Sequence, residues 1–331
     1  MLLRTFVLLV GLSGPLGAVV IGYDATNSGT FGDPNSSTYV VTSSTVADGV
    51  NLSGVVEISS GVGTCSGALL SDHVSILTAA HCLFPQGGSG MLPSSVQVYF
   101  NYPGCGGGFP YCGGTYNVTD PANMFLDPTW ISSGENLGDG NDLAVIRLSS
   151  PAPAFAAVYS LFGGNSIDLS TPIEVAGAGE SGKGQIDGAA YPAGNSGDPI
   201  RQGESNYIGT CASGPVTIIG CASGYALIAQ FYAGSPLNNQ VAIAPGDSGG
   251  PSFYNGELIG VHQFYACDTS NCSITDANSY WGDTYAGGLN ATWIESVEAN
   301  SIPEPGSMLL MAVGLGAIVL RRQRIGANRP R

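Results

Sequence analysis

The chain has 331 residues, with 50 Gly and 20 Pro but only 10% charged side chains, a composition that suits a turn-rich β protein and argues against a helical bundle. Nine basic against 24 acidic residues leave a net charge of -15, which repels phosphate backbones and excludes nucleic acid as a natural partner. The eight Cys fall in close pairs, Cys65 with Cys82, Cys105 with Cys112, Cys211 with Cys221 and Cys267 with Cys272, as expected of short loops closed by disulfides in an oxidising compartment. A zinc site is the poorer reading: no Cys-x-x-Cys occurs, and of His73, His81 and His262 only His81 stands next to a Cys.

In chain order, residues 1–18 read as a signal peptide. Arg4 supplies the positive n-region, Thr5 to Leu12 the apolar run, and Leu16-Gly17-Ala18 the small residues before cleavage. From there to about residue 300 no long stretch has helical periodicity. Short apolar runs recur between clusters of Gly, Pro, Asn and Ser: Val55–Ile58, Ser75–Thr78, Val96–Phe100, Leu143–Ile146, Val216–Ile219 and Leu258–Val261. These are strand signals at a spacing that predicts a sandwich or barrel. Ser149 to Ala154 looks like a connector between two β units, about 40–150 and about 155–300. The Gly-rich stretches 103–114 and 176–198 read as surface loops, and Thr292 to Val297 as a short closing helix.

Three strings carry chemistry. Thr78-Ala79-Ala80-His81-Cys82 follows an apolar strand, and Cys82 can bridge back to Cys65, a rigid mount for a general base. Asn141-Asp142-Leu143-Ala144-Val145-Ile146 opens a strand with an acid whose burial requires a hydrogen-bonded partner, for which an imidazole N–H is suited. Gly246-Asp247-Ser248-Gly249-Gly250-Pro251 sets a hydroxyl among glycines that permit unusual backbone angles and close substrate approach, beside amides able to hold an oxyanion. By itself the last string is also a good flexible turn. It fits the G-x-S-x-G elbow of α/β-hydrolases too, but that fold needs an acid and then a His after the Ser; His262 is the one His that follows, with Glu257 the one acid between them, and the alternation of strands with long helices is absent.

Together, in the order His, Asp, Ser, the strings resemble the trypsin/chymotrypsin family. The likeness extends through Gly63–Leu70 before the His and Leu258–Val261 after the Ser, and so frames most of residues 50–300. It implies an all-β fold of two packed antiparallel β-barrels with a short C-terminal helix, and a secreted serine endopeptidase acting on protein or peptide substrates without cofactor or metal. By that resemblance Ser248 is the nucleophile, His81 the base and Asp142 its orienting carboxylate, with the N–H groups of Gly246 and Ser248 as oxyanion hole. A catalytically silent homologue that binds extracellular or matrix partners is the alternative of another class, and ester hydrolysis by the same residues a third.

The departures concern activation and specificity. Family members usually pair a freed N-terminal Ile or Val with the acid before the nucleophile, here Asp247. Cleavage after Ala18 exposes Val19-Val20-Ile21-Gly22, and Val40-Val41 is a second candidate. Ala242 stands where trypsin-like members carry a pocket Asp, and Ala244 where the pocket disulfide has its first Cys, so Cys267 is expected to pair locally with Cys272. The pocket wall falls on His262, Gln263 and Phe264. Glutamyl-specific relatives carry a His there, and the hypothesis it suggests is preference for an acidic side chain before the cut; a buried structural His is the competing reading.

The C-terminus closes with Pro303-Glu304-Pro305, the apolar run Met308–Leu320 and Arg321-Arg322-Gln323-Arg324. Its 13 apolar residues are short against the roughly 20 a bilayer span needs. This tail, 301–331, resembles the PEP-CTERM sorting signal of Gram-negative bacteria and implies handling by an exosortase, a membrane association through this segment, and an envelope or extracellular location.

Overall fold

The computed structural model describes residues 40–41, 49–85, 87, 91–100, 113–179, 200–214, 221, 223–231, 237, 239–267 and 279–300, with the backbone of a few short strands elsewhere. Several sequence expectations fall outside the described residues. They are the pairing of Cys105 with Cys112, the pairing of the Cys267 side chain with Cys272, the mature N-terminus at Val19 and the tail 301–331. Most of the two Gly-rich stretches also lies outside them. No helix among the described residues is long and apolar enough to cross a membrane.

Fourteen strands form the body: β1 Val55–Ser60, β2 Thr64–Leu69, β3 Ser75–Thr78, β4 Val96–Phe100, β5 Thr115–Val118, β6 Met124–Leu126 and β7 Ala144–Arg147, then β8 Ile173–Gly177, β9 Arg201–Ser205, β10 Tyr207–Thr210, β11 Ala226–Phe231, β12 Pro251–Tyr254, β13 Glu257–Cys267 and β14 Ser279–Tyr285. The expected barrels take the form of two curled antiparallel sheets. One runs β6-β7-β3-β2-β1-β4-β5 and the other β9-β8-β12-β13-β14-β11-β10, with short strands Thr5–Leu8 and Thr217–Ile218 off the second path. Sequence pattern explains the layering. In β4, Val96, Val98 and Phe100 are buried while Gln97 and Tyr99 are half-buried, the period of two of a strand with one face on the core. In β7, Ala144, Val145 and Ile146 are all buried, as befits a strand covered on both faces.

Two registers position the chemistry-bearing residues. β7 pairs with β3 so that Ala144 faces Thr78; carried two residues further, that register sets Asp142 beside the turn that holds His81. β13 pairs with β14 so that His262 faces Asp283, with a bulge between His262 and Phe264. The stretch 176–198, expected as loop from its first residue, instead begins inside β8, because Ala176 and Gly177 pair with Gln202 and Arg201. The closing helix α1 is longer than expected, Leu289–Ala299, and buries Ile294 and Val297. It ties the two halves together: Asn290 Nδ2 donates to Gly140 O at 3.0 Å, and Arg147 Nη2 to Val297 O at 3.0 Å.

β2 has no room for a side chain at Gly67, where a Cβ would meet Ile76 Cγ2 at 2.7 Å, Ile58 Cδ1 at 2.9 Å and Leu77 O at 3.0 Å. Gly67→Ala is therefore expected to lower unfolding stability by about 1–3 kcal/mol, the usual cost of overpacking, as read by urea denaturation.

Candidate active site

His81 sits in a short 3₁₀ turn, Ala80–Cys82, directly after β3. The Cys65–Cys82 disulfide ties that turn to β2, with Cα atoms 6.1 Å apart, and Ser60 Oγ donates to Cys82 O at 2.8 Å. Asp142 reaches the turn from the start of β7 and is wholly buried. It accepts twice from one residue: the His81 backbone N–H donates to Oδ1 at 2.9 Å, and Nδ1 lies 2.6 Å from Oδ2. An ionised carboxylate only accepts, so the contact places a proton on Nδ1 and leaves Nε2 with a lone pair. The imidazole is one-fifth exposed beside a fully buried carboxylate, which fixes the orientation of the ring.

Ser248 arrives from the other sheet, and its backbone is locked to the first. Ser66 N–H donates to Ser248 O at 2.7 Å, and Cys82 Sγ lies 3.5 Å from the same oxygen. Ser66 Oγ donates to Gly246 O at 2.8 Å and accepts from Ala178 N–H at 2.9 Å. Thr78 Oγ1 holds Ser66 O at 2.7 Å. Within the loop, Asp247 N–H donates to Ala244 O, Gly249 N–H to His262 O and Gly250 N–H to Asp247 O. The N–H groups of Gly246 and Ser248 donate to no described residue, so these two amides remain available. Ser248 is half-buried and its hydroxyl has no hydrogen-bond partner among the described residues. The structure thus joins His81 to Asp142 directly, and Ser248 to both through backbone. Glycine is required at 249, where φ is +82° and a Cβ would collide with Thr78 Oγ1 and Ser66 O.

Asp247, next to the Ser, points inward and is fully buried. Its carboxylate lies against the bare Cα of Gly177, where a Cβ would overlap Oδ1, and Oδ2 accepts from Ala244 N–H at 3.1 Å. Burial pushes this carboxyl up to about 7; His262, the amides of Ala244 and Gly179, and Arg201 pull in the other direction.

The four expected pocket residues, Ala242, His262, Gln263 and Phe264, are all buried. His262 belongs to a second chain of hydrogen bonds unforeseen from sequence. Its Nδ1 lies 2.7 Å from Asp283 Oδ1, and Tyr207 OH donates to Asp283 Oδ2 at 2.5 Å. All three side chains are buried, Tyr207 with a phenol held well above its usual range, first by burial and then by the Asp283 charge. His262 Nε2 is buried without a hydrogen-bond partner, and the ring stands edge-on to Trp281 at 5.6 Å.

Of the four expected disulfides, the described residues hold two. Cys65 is bonded to Cys82 and Cys211 to Cys221, while Cys105 and Cys112, and the side chains of Cys267 and Cys272, fall outside them. Cys65, His81 and Cys82 bring ligand-type atoms together, but both thiols are consumed in the disulfide.

The trypsin family profile matches residues 39–280. The chain belongs to the trypsin family. The PEP-CTERM protein-sorting motif matches residues 301–324 and marks the chain for export and sorting at the cell surface. A solved structure of a Glu endopeptidase in complex with MPD is similar in fold, with a TM-score of 0.50 and 16% identity over 86% of this chain and 98% of that one. No curated protein matches the chain. Within this trypsin-family frame, Ser66, Gly177, Arg201, Tyr207 and Asp283 are the residues that sequence reasoning missed. Ser66 lay inside a string that resembles the family, but nothing marked its hydroxyl as the clamp on the serine loop.

Asp247 supplies a pH prediction. Its folded pKa of about 7 stands above the ordinary 3.8, so the native state binds this proton more tightly than the unfolded chain does. Its contribution is complete below 3.8 and is lost as pH rises to about 7. Relative to Asp247→Asn, wild-type stability is expected to fall by no more than about 4 kcal/mol between pH 4 and 7, by urea denaturation at stepped pH.

Proposed function

We propose that the chain is a secreted serine endopeptidase that cleaves peptide bonds through an acyl-enzyme on Ser248. The observation that carries this reading is one arrangement. A base is fixed on a buried carboxylate, and the glycine-flanked Ser loop is clamped to the same strand with two of its amides uncommitted. Ser248 Oγ attacks the scissile carbonyl carbon while His81 Nε2 takes its proton. Asp142 keeps the Nδ1–H tautomer and stabilises the imidazolium that forms. The carbonyl oxygen, now anionic, is received by the N–H groups of Gly246 and Ser248. His81 returns the proton to the leaving amine, and water, deprotonated by the same nitrogen, releases the acid product. The hydroxyl engages His81 on substrate binding, since catalytic hydrogen bonds often tighten only in the complex.

Cleavage of a diverse peptide library by the processed protein tests the reading. Turnover should vanish in Ser248→Ala and fall by about 10⁴ in kcat in Asp142→Asn, which keeps the shape but loses the tautomer control. Equal cleavage by wild type and Ser248→Ala would overturn it.

For the residue before the cut, His262 supports an acidic preference. Its Nδ1 rests on Asp283, which fixes the ring, and its Nε2 is the ring nitrogen left for a substrate carboxylate to meet. Ala242 offers a basic side chain no charge. His262→Val should bring the ratio of kcat/KM for Glu over Leu substrates close to one. An unchanged ratio would contradict the assignment.

A further inference from the structure

We infer that His262, held in one tautomer by Asp283 and Tyr207, takes a substrate carboxylate only together with one proton from solvent and takes a carboxamide with none. Given the peptidase reading, on which this rests, Glu and Gln both serve before the cut, and Gln gains on Glu as pH rises.

The protons follow from donors and acceptors. Tyr207 OH, a phenol kept protonated first by burial and then by the Asp283 charge, donates to Asp283 Oδ2. Asp283 Oδ1, an acceptor like its partner oxygen, lies 2.7 Å from His262 Nδ1, so the ring proton sits on Nδ1. Nε2 is then a lone pair, buried and without a hydrogen-bond partner among the described residues. A lone pair repels a carboxylate. It becomes a donor only when the ring gains a second proton.

The ring lies against the serine loop. His262 O accepts from Gly249 N–H at 2.8 Å, and His262 N–H donates to Gly250 O at 2.9 Å. Cδ2, the ring carbon bonded to Nε2, stands 2.8 Å from where a Cβ on Gly250 would be. The edge of the ring away from Nδ1 is thus turned to the chain that follows Ser248. The indole of Trp281, edge-on to this ring with centroids 5.6 Å apart, also keeps its Nε1 buried without a partner. Two adjoining rings with unmet polar atoms are what a polar substrate side chain would satisfy.

Charge decides what that side chain brings. The titratable groups facing the ring among the described residues are Asp283 from β14, Tyr207 behind it from β10 and Asp247 from the serine loop, whose carboxyl senses His262. With the ring singly protonated, Asp283, His262 and Tyr207 together carry one negative charge. A carboxylate added alone doubles that charge in a buried layer beside Asp247. Added with a proton, it leaves an imidazolium between two carboxylates and the sum unchanged. A carboxamide brings no charge, and its own N–H donates to Nε2.

The test counts protons. Processed Ser248→Ala protein is titrated by calorimetry with two synthetic peptides that differ only in Glu or Gln at the position before the cut. The titrations run in buffers of different ionisation enthalpy at pH 8.5, well above the ordinary range of an imidazole. The Glu peptide should bind with uptake of about one proton and the Gln peptide with none. Adding His262→Gln, whose amide still offers a donor but takes no proton, should abolish the uptake. Uptake that persists there would place the proton on Asp247 and overturn the assignment. So would a Glu peptide that binds Ser248→Ala without uptake, or binding of neither peptide. Should His262→Gln fail to fold, Asp283→Asn takes its place: with Tyr207 OH on the amide oxygen, the amide N–H faces Nδ1, the ring proton moves to Nε2, and Glu binds with little uptake. In the active protein the Glu over Gln ratio of kcat/KM should fall about tenfold per pH unit on the alkaline side, mainly through KM, because the titrations of His81 and Asp247 act on both substrates. A ratio that does not change with pH would overturn the proton linkage. No turnover of either substrate would count against the peptidase reading, while the calorimetry still decides the proton.

Discussion

Taking a carboxylate out of water costs several kcal/mol unless donors or a cation replace the lost hydration. Three aspartates in this chain, Asp142, Asp247 and Asp283, have no solvent exposure at all. Each is met differently, and the arrangement of the molecule around His81 and Ser248 follows from how. Asp142 receives two donors from His81. Asp247 receives an amide from its own loop and lies on the face that carries Arg201. Asp283 receives Tyr207 and His262. The first orients the His81 imidazole, the second shapes the loop that carries Ser248, and the third holds a His behind that loop.

These three sites are linked by backbone. Ser66 makes the tightest connection: its N–H, hydroxyl and carbonyl contact Ser248 O, Gly246 O with Ala178 N–H, and Thr78 Oγ1. Its neighbour Cys65 fixes Cys82, and through it the His81 turn. Neighbouring residues of β2 thereby tie the His81 turn, held by one sheet, to the Ser248 loop, delivered by the other. Gly249 N–H and His262 O extend the linkage to β13, where His262 faces Asp283. Small glycines keep the whole cluster close. Gly177 admits the Asp247 carboxylate, and Gly260 leaves room for Tyr207 OH and Asp283 Oδ2, which a Cβ at 260 would strike.

Much of the frame was legible in the sequence because it is written in local patterns. Strand periodicity located Ser75–Thr78 and Val96–Phe100 at their observed bounds, and the strings around His81, Asp142 and Ser248 announced themselves by glycine, cysteine and an acid opening an apolar run. What could not be read was what depends on register. Arg201, Tyr207 and Asp283 stand in stretches without a chemical signature; the meaning of Arg201 and Asp283 comes from facing Gly177 and His262 across a sheet, and that of Tyr207 from its hydrogen bond to Asp283. Ala176 and Gly177 looked like the start of a Gly-rich loop because composition records no pairing partner. His262 was open to both a pocket and a structural reading, and its carboxylate partner lies 21 residues downstream, on the next strand.

Whether Ser248 is an activated nucleophile is tested most directly by incubating the processed protein with a serine-reactive fluorophosphonate and mapping the adduct by mass spectrometry. A single stoichiometric adduct on Ser248 is predicted, formed at least a hundredfold more slowly in His81→Ala. An intact Ser248 in a correctly disulfide-bonded, folded protein, or labelling equally fast without His81, would contradict it.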